Sequence, residues 1–252
     1  MIPRRVAEHA KSQNWFAVTL DFFIVVIGVF IGIEVANWNQ ARQDRQEERR
    51  YYGQLLVDLK GDLETLSMAE RRADQYDEAA QLVIDRLSGK APAQASAGRM
   101  ATAIHYAGFI YIPSASRGTY NELVSTGNLG LLRNSQLKSE IANYYETFEE
   151  LRQWDWLLRE QQGNYWTETA GILPRPVLQA AVRGAGAERV EPAIPPSEDR
   201  AIWQAARSHP RLPSMLVGMA AHQERVRRDS EQLTVRATKL IADIERHLKD
   251  SS

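Results

Sequence analysis

The chain contains no cysteine, so disulfides, thiol catalysis, iron–sulfur clusters and cysteine-ligated zinc are all excluded. An excess of charge of either sign is missing too. Lys and Arg number 31 against 32 Asp and Glu, a net charge of −1 that gives no electrostatic footprint for nucleic acid. The five histidines (His9, His105, His209, His222 and His247) are too dispersed to form a ligand set. No phosphate-binding GxxxxGK[ST] or GxGxxG, no GxSxG, no HExxH, no EF-hand loop and no N-x-[ST] sequon is present. The carboxylate pairs Glu47/Glu48 and Glu149/Glu150 are adjacent, so they point to different parts of a helix surface and do not converge as an acid and a base. The expectation is a protein that is not an enzyme and carries no cofactor or metal.

What is present is a folded-protein composition, 44% hydrophobic and 25% charged over 252 residues. A mean hydropathy of −0.42 conceals one very apolar segment attached to a polar remainder. Between Trp15 and Trp38 only Asp21 and Glu34 are charged. As a helix these residues span roughly 36 Å, enough to cross a hydrocarbon core about 30 Å thick, with a tryptophan at each interface. The alternative, a buried core helix, would need an apolar environment that the polar remainder hardly supplies. A cleavable signal peptide fits poorly, because residues 33–36 offer no small-x-small site. The segment reads as an uncleaved transmembrane anchor behind a short lead of residues 1–14.

At 100° per residue, Asp21, Gly28, Gly32 and Asn39 fall on one stripe flanked by Ala17 and Ala36. Gly28 and Gly32 form a GxxxG, whose missing side chains let a second helix approach closely. Ala17, Asp21, Gly28, Gly32 and Ala36 are therefore the candidate transmembrane packing residues, for a homo-oligomer or another membrane protein. Asp21 has two readings, an interfacial carboxylate or the acid of a proton-coupled subunit. Basic residues number three before the span (Arg4, Arg5, Lys11) and four after it (Arg42, Arg45, Arg49, Arg50), so the count does not orient it. Long domains translocate regardless of charge, and the α-amino group adds to a lead opposed only by Glu8. The expected location is a bacterial inner membrane, single-pass, N-terminus cytoplasmic and body periplasmic.

Residues 40–87 lack proline and predict one long helix. At its 3-4 spacing, Tyr52, Leu55, Leu59, Asp62, Leu66, Ala69, Ala73, Tyr76, Ala80, Val83 and Leu87 form a coiled-coil-like seam broken only by Asp62. Residues 88–98 read as a break, with Gly89 ending the helix. Residues 99–112 are helical at first and ambiguous at FIYI, and His105 reads as a packed neighbour of Tyr106 and Phe109. Thr119 and Glu122 have the form of a capping box, and Gly127 closes that short helix. Asn134 or Ser135 caps a longer helix with Leu137, Ile141, Tyr144, Phe148, Leu151 and Leu158 in register and Asp155 as the exception. The aromatic set Tyr144, Tyr145, Phe148, Trp154, Trp156, Tyr165 and Trp166 reads as core or as a ligand or partner cleft. Residues 171–197, with five prolines and three glycines, predict a long loop with a helical turn at 177–182. A short helix at 198–208 and a last long one at 214–249 follow. The latter has an apolar seam (Leu216, Met219, Val226, Leu233, Ala237, Leu240, Ile244) interrupted by Gln223, Ser230 and His247.

Two blocks carry a resemblance: FFIVVIGVFIGIEVANWNQARQDR at 22–45 and TYNELVSTGNLGLLRNSQLKSEIANYY at 119–145. Together they resemble an uncharacterised family of bacterial single-span membrane proteins, a domain of unknown function, over roughly residues 14–165. The resemblance implies an N-terminal anchor ending in an NWN-type motif and a mainly helical body, and it carries no activity, cofactor or catalytic residue. The chain departs from the pattern at Asp21 (Glu is more usual), Glu34 (Gln) and Gly32 (Ala). The expected fold is thus all-α, with an anchor at 15–38, a helical domain at 39–170, a loop at 171–197 and C-terminal helices at 198–252 packing on the same bundle. Its expected role is an interaction or structural one, the alternatives being a ligand-binding envelope sensor or transport accessory and a proton-coupled subunit using Asp21.

Overall fold

Hydrophobic spacing accounts for the longest element. The computed structural model describes residues 15–90, 95–184 and 191–250, and among these every regular element is helical and none is a strand. Helix α1 runs Trp15–Leu87. The chain divides into two units, Met1–Tyr51 and Tyr52–Ser252, so that α1 contributes its first part to one and its second to the other. The lead 1–14 and residues 91–94 and 185–190 of the two expected loops lie outside the described residues.

In the first unit the apolar part of α1 is exposed among the described residues. Eleven large apolar side chains between Leu20 and Val35 are 49–65% exposed. In the second unit the same helix follows its seam closely. Tyr52, Leu55, Leu59, Asp62, Leu66, Ala69, Ala73, Tyr76, Ala80 and Val83 are all buried, and Leu87 is half-buried. Gly89, at φ +79°, then ends the helix, with Lys90 N–H bonded to Asp85 O at 2.8 Å and Gly89 N–H to Arg86 O at 3.3 Å.

Among the described residues eight further stretches of helix follow, one of them a 3-10 turn. Helix α2 is Ala97–Tyr106, N-capped by Ser96, and residues beyond it run irregularly to α3, Gly118–Ser125. Gly127, at φ +75°, leads into the 3-10 turn Asn128–Leu131. Helix α4, Ser135–Gln153, is capped by Asn134. Trp154 separates it from α5, Asp155–Thr169, so the long helix expected from residue 135 onward is two helices that part beside the Asp155 exception. Helices α6 (Arg175–Gly184), α7 (Pro196–Ser208) and α8 (Leu212–Asp250) complete the chain.

Two local expectations are corrected. Residues 171–197 are not simply a loop: α6 is a full helix with Val177, Ala180 and Ala181 buried, and it packs on α2. Pro176 is harmless there because the first turn has N–H groups without helical partners in any case. The capping box at Thr119 does not form either. Thr119 already lies inside α3, whose N-cap Arg117 makes no side-chain cap bond, and its N–H donates to Asp58 Oδ2 of α1 at 3.2 Å.

Within the second unit, α8 runs antiparallel to α1. Tyr52 meets the His247 ring (5.2 Å), Lys60 pairs with Glu245 (3.1 Å), Glu70 accepts from Thr234 (3.1 Å), and Asp74 faces Arg227 (3.6 Å), partner numbers falling as α1 numbers rise. Helix α4 packs antiparallel on α8 through Lys239–Glu140 (3.1 Å) and Arg236 donating to Thr147 (2.8 Å). A second cluster forms around the end of α1, where Ala80 and Val83 meet Ile104 and Tyr106 of α2, Tyr165 of α5, Ala181 of α6, Trp203 of α7 and Leu216 of α8. The exposed ion pairs contribute little, with medians below about 1 kcal/mol; burial of these seams holds the bundle.

Candidate functional site

The transmembrane packing set begins at Ala17, whose side chain lies outside the described part. Asp21, Gly28, Gly32 and Ala36 lie on the exposed part of α1. A Cβ built on Gly28 or Gly32 would meet nothing within 4 Å. Among the described residues these glycines therefore make no close packing contact, although each costs about 1 kcal/mol of helix propensity relative to alanine.

The seven aromatic residues of the candidate cleft do not share one environment. Tyr144, Tyr145 and Phe148 are buried on α4, with Tyr144 edge-on to both neighbours and Tyr145 stacked on Tyr120 at 4.6 Å. Tyr165 is buried in the other cluster and donates its hydroxyl to Ile104 O at 2.7 Å. Trp166 is half-buried beside it, stacked on His105 at 5.5 Å and edge-on to Phe109 at 4.9 Å. Trp154 and Trp156 are 46% and 65% exposed, and the Arg225 guanidinium lies 4.9 Å above the Trp154 ring. The separation follows from the helix break at Trp154, which assigns the first three rings to α4 and the last three to α5.

Two shallow grooves lie along α4 and α8. One, of about 260 Å³, is lined by Glu140, Asn143, Tyr144, Arg236, Lys239 and Leu240. The other, of about 300 Å³, includes Trp154, Arg225, Asp229 and Arg236. Their charges are engaged by one another, since Lys239 pairs with Glu140 and Arg225 with Asp229. The hydrogen bonds from Lys239 and Gln136 hold the Glu140 carboxyl below its ordinary range. Among the described residues no group of three His, Cys, Asp or Glu has metal-binding geometry.

The most unusual chemistry is buried. Asp62, the one polar residue in the α1 seam, is wholly inaccessible, and its carboxylate accepts from Ser116 N–H at 2.6 Å and from the Tyr144 hydroxyl at 3.0 Å. With Asp58, which accepts from Thr119 N–H, it fixes the segment leading into α3 against α1. Arg117, in the same segment, pairs with Glu149 of α4. Burial pushes the Asp62 carboxyl above the ordinary carboxylate range. Hydrogen bonds from Ser116 and Tyr144 pull the other way without cancelling it, and the Asp58 charge adds to the rise. Burial, then the Asp62 charge, raises the hydroxyls of Tyr144 and Tyr145, so both stay neutral at any physiological pH. The Tyr145 hydroxyl has no hydrogen-bond partner among the described residues.

The sequence showed Asp62 only as the exception in its seam. Its partners, 54 and 82 residues away, carried no local signal. His105 is packed among Tyr106, Phe109 and Trp166, and burial lowers its pKa, which keeps the ring neutral near pH 7. Gly108 was not singled out by any pattern. It sits where Tyr165 and Trp166 approach the backbone, and a Cβ there would lie 2.4 Å from Tyr165 Cδ1.

The apolar helix and the Asp58–Asp62–Tyr144 cluster are joined in one stretch of sequence that has relatives. Neither a curated protein nor a solved structure matches the chain. A family of unknown function (DUF6090) matches residues 21–164, which run from the apolar part of α1 through both acids and α4. That match covers more than half of the 252 residues, and the chain belongs to this family.

Proposed function

We propose that this chain is a single-span membrane protein, an anchor that presents a helical module for docking a partner or a second copy of itself, without catalysis of its own. One observation carries the reading: the apolar stretch of α1 is long enough to cross a bilayer and none of it is buried in protein. Leaving eleven such side chains half in water costs on the order of 10–20 kcal/mol. That is as large as the whole stability of a typical domain, about 5–15 kcal/mol. A bilayer removes the cost. The outward-facing Gly28 and Gly32 support close approach by a second helix, and the lack of a charge excess argues against a nucleic-acid partner.

The location we propose is a bacterial inner membrane with the N-terminus cytoplasmic and the helical body periplasmic. A cysteine placed at exposed Gln161 of the thiol-free chain tests it. Labelling of intact cells by a membrane-impermeant maleimide is the expected result, and labelling only after lysis would reverse the orientation. The anchor itself is tested by alkaline carbonate extraction, and release into the supernatant would refute it. For self-association, the double variant Gly28→Ile/Gly32→Ile is expected to shift the detergent-solubilised protein to monomer while leaving the melting temperature of the bundle within about 2 °C. A wild type that is monomeric in both mild detergent and bilayers removes the second copy as the partner.

A further inference from the structure

We propose that the end of the anchor is a binding stripe for anionic phospholipid headgroups, built from Arg42 and Arg45 behind the interfacial Trp38. The inference rests on the anchor reading and specifies what the span meets where it leaves the hydrocarbon. On α1, Trp38, Arg42, Arg45 and Arg49 fall within about 60° of arc, whereas Asp44, Glu47 and Glu48 lie on the other side, about 140–240° from Arg42. Arg42, Arg45 and Arg49 are thereby separated from the three carboxylates of the same stretch, with Arg50 between the two faces.

Two carboxylates of the acidic face are engaged within their own helix, and the third, Glu48, is buried. Asp44 accepts from Gln40 at 2.8 Å, and Glu47 pairs with Arg50 at 3.1 Å, away from the stripe. Arg42 and Arg45 are exposed, and among the described residues no ion pair engages either of them. Their distance from the membrane fits a headgroup rather than a soluble anion. Arg42 is about 6 Å and Arg45 about 10 Å along the axis beyond Trp38, against a headgroup layer roughly 5–8 Å deep on each side of the bilayer. Helical side chains lean toward the N-terminus of their helix, which here is toward the bilayer. A guanidinium delivered there presents paired N–H donors that match a phosphate, in a geometry that lysine lacks. Toward the bilayer the stripe continues through Ile31 and Val35, with Glu34 at its edge one turn before Trp38, so acyl chain and phosphate of one lipid meet one side of one helix.

The test uses the full-length protein in phosphatidylcholine vesicles doped with spin-labelled lipid. Spin-labelled phosphatidylglycerol is expected to associate severalfold more strongly than spin-labelled phosphatidylcholine, each arginine contributing up to about fivefold. In Arg42→Gln/Arg45→Gln the ratio is expected to fall close to one, with helicity unchanged. Arg50→Gln, off the stripe, is expected to keep the preference. Equal association of both lipids with the wild type, or a preference that survives the double variant, overturns the stripe. Flotation of the same vesicles separates the two readings: protein that floats without lipid preference refutes only the stripe, and protein that does not float refutes the anchor and the stripe together.

Discussion

Replacing Asp62 by alanine is expected to lower the stability of the bundle by about 2–4 kcal/mol at pH 7, a fall in Tm on the order of 10 °C for a domain of this size. The loss arises because the buried Tyr144 hydroxyl would be left without an acceptor, while the N–H of exposed Ser116 would exchange its bond to this carboxylate for one to water. The orphaned hydroxyl costs about 1–3 kcal/mol and the lost bond from Ser116 to a charged acceptor about 1.5–3 kcal/mol, partly offset by removal of a buried charge. Asp62→Asn separates the two contributions. Its amide oxygen accepts from Ser116 N–H, its amide N–H donates to Tyr144, and the charge is gone, so the variant is expected to match or exceed the wild type at pH 7.

The pH dependence of that comparison has a definite sign. The folded-state pKa of Asp62 is raised above the unfolded value of 3.8. Between the two values the folded chain holds a proton that the unfolded chain has released, so acidification stabilises the wild type there, and the contribution is lost as pH rises through the folded pKa. The advantage of Asp62→Asn is therefore expected to be largest at neutral pH and to shrink as pH falls toward 4. Denaturant titrations of the two proteins from pH 8 to pH 4 measure it, and taking their difference cancels the other titrating groups. An offset independent of pH, or an asparagine variant as unstable as alanine, would contradict this account of the site.

Gly108→Ala is the second large effect. The added Cβ would lie 2.4 Å from Tyr165 Cδ1 and 2.6 Å from Trp166 Nε1. Both rings are held by their own hydrogen bonds, to Ile104 O and His105 O, so they yield only by giving those up. Overpacking of this kind costs about 1–3 kcal/mol, a fall of roughly 3–10 °C in Tm, and valine at the same position should cost more. The near-ultraviolet circular dichroism from the Trp166–His105–Phe109 cluster is expected to weaken with it. Gly163→Ala is the control. It sits in an exposed turn of α5 with nothing within 4 Å of the new Cβ, and it is expected to stabilise the helix by up to about 1 kcal/mol. Equal effects at the two glycines would mean that propensity, not space, decides.

Period and length made much of this architecture readable without coordinates. Ten seam positions of α1, from Tyr52 to Val83, are buried as their spacing predicted, and nine of the α8 seam from Leu216 to Ile244 are too, including Gln223 and Ser230. These are local properties: a 3.6-residue repeat places its own stripe whatever it later meets. The apolar run at 22–33 is likewise a statement about one segment and its solvent. The end of α1 at Gly89 was fixed by backbone chemistry confined to six residues.

Where two distant segments had to meet, local pattern was insufficient. Proline and glycine counts described 171–197 as a loop, but burial of Val177 and Ala181 against α2 folds α6, because tertiary packing outweighs weak propensity. A Thr-x-x-Glu spacing foretold a cap that Asp58 supplies from α1 instead. Seven aromatic residues that looked like one group became separate sites once the chain parted at Trp154. Sequence by itself determined the long helices α1 and α8, their buried faces and the exposed apolar segment near the start of α1. Only the tertiary structure decided which partners the buried acid and Gly108 acquired and placed Trp166 on His105, since those contacts join residues tens of positions apart and leave no period to read.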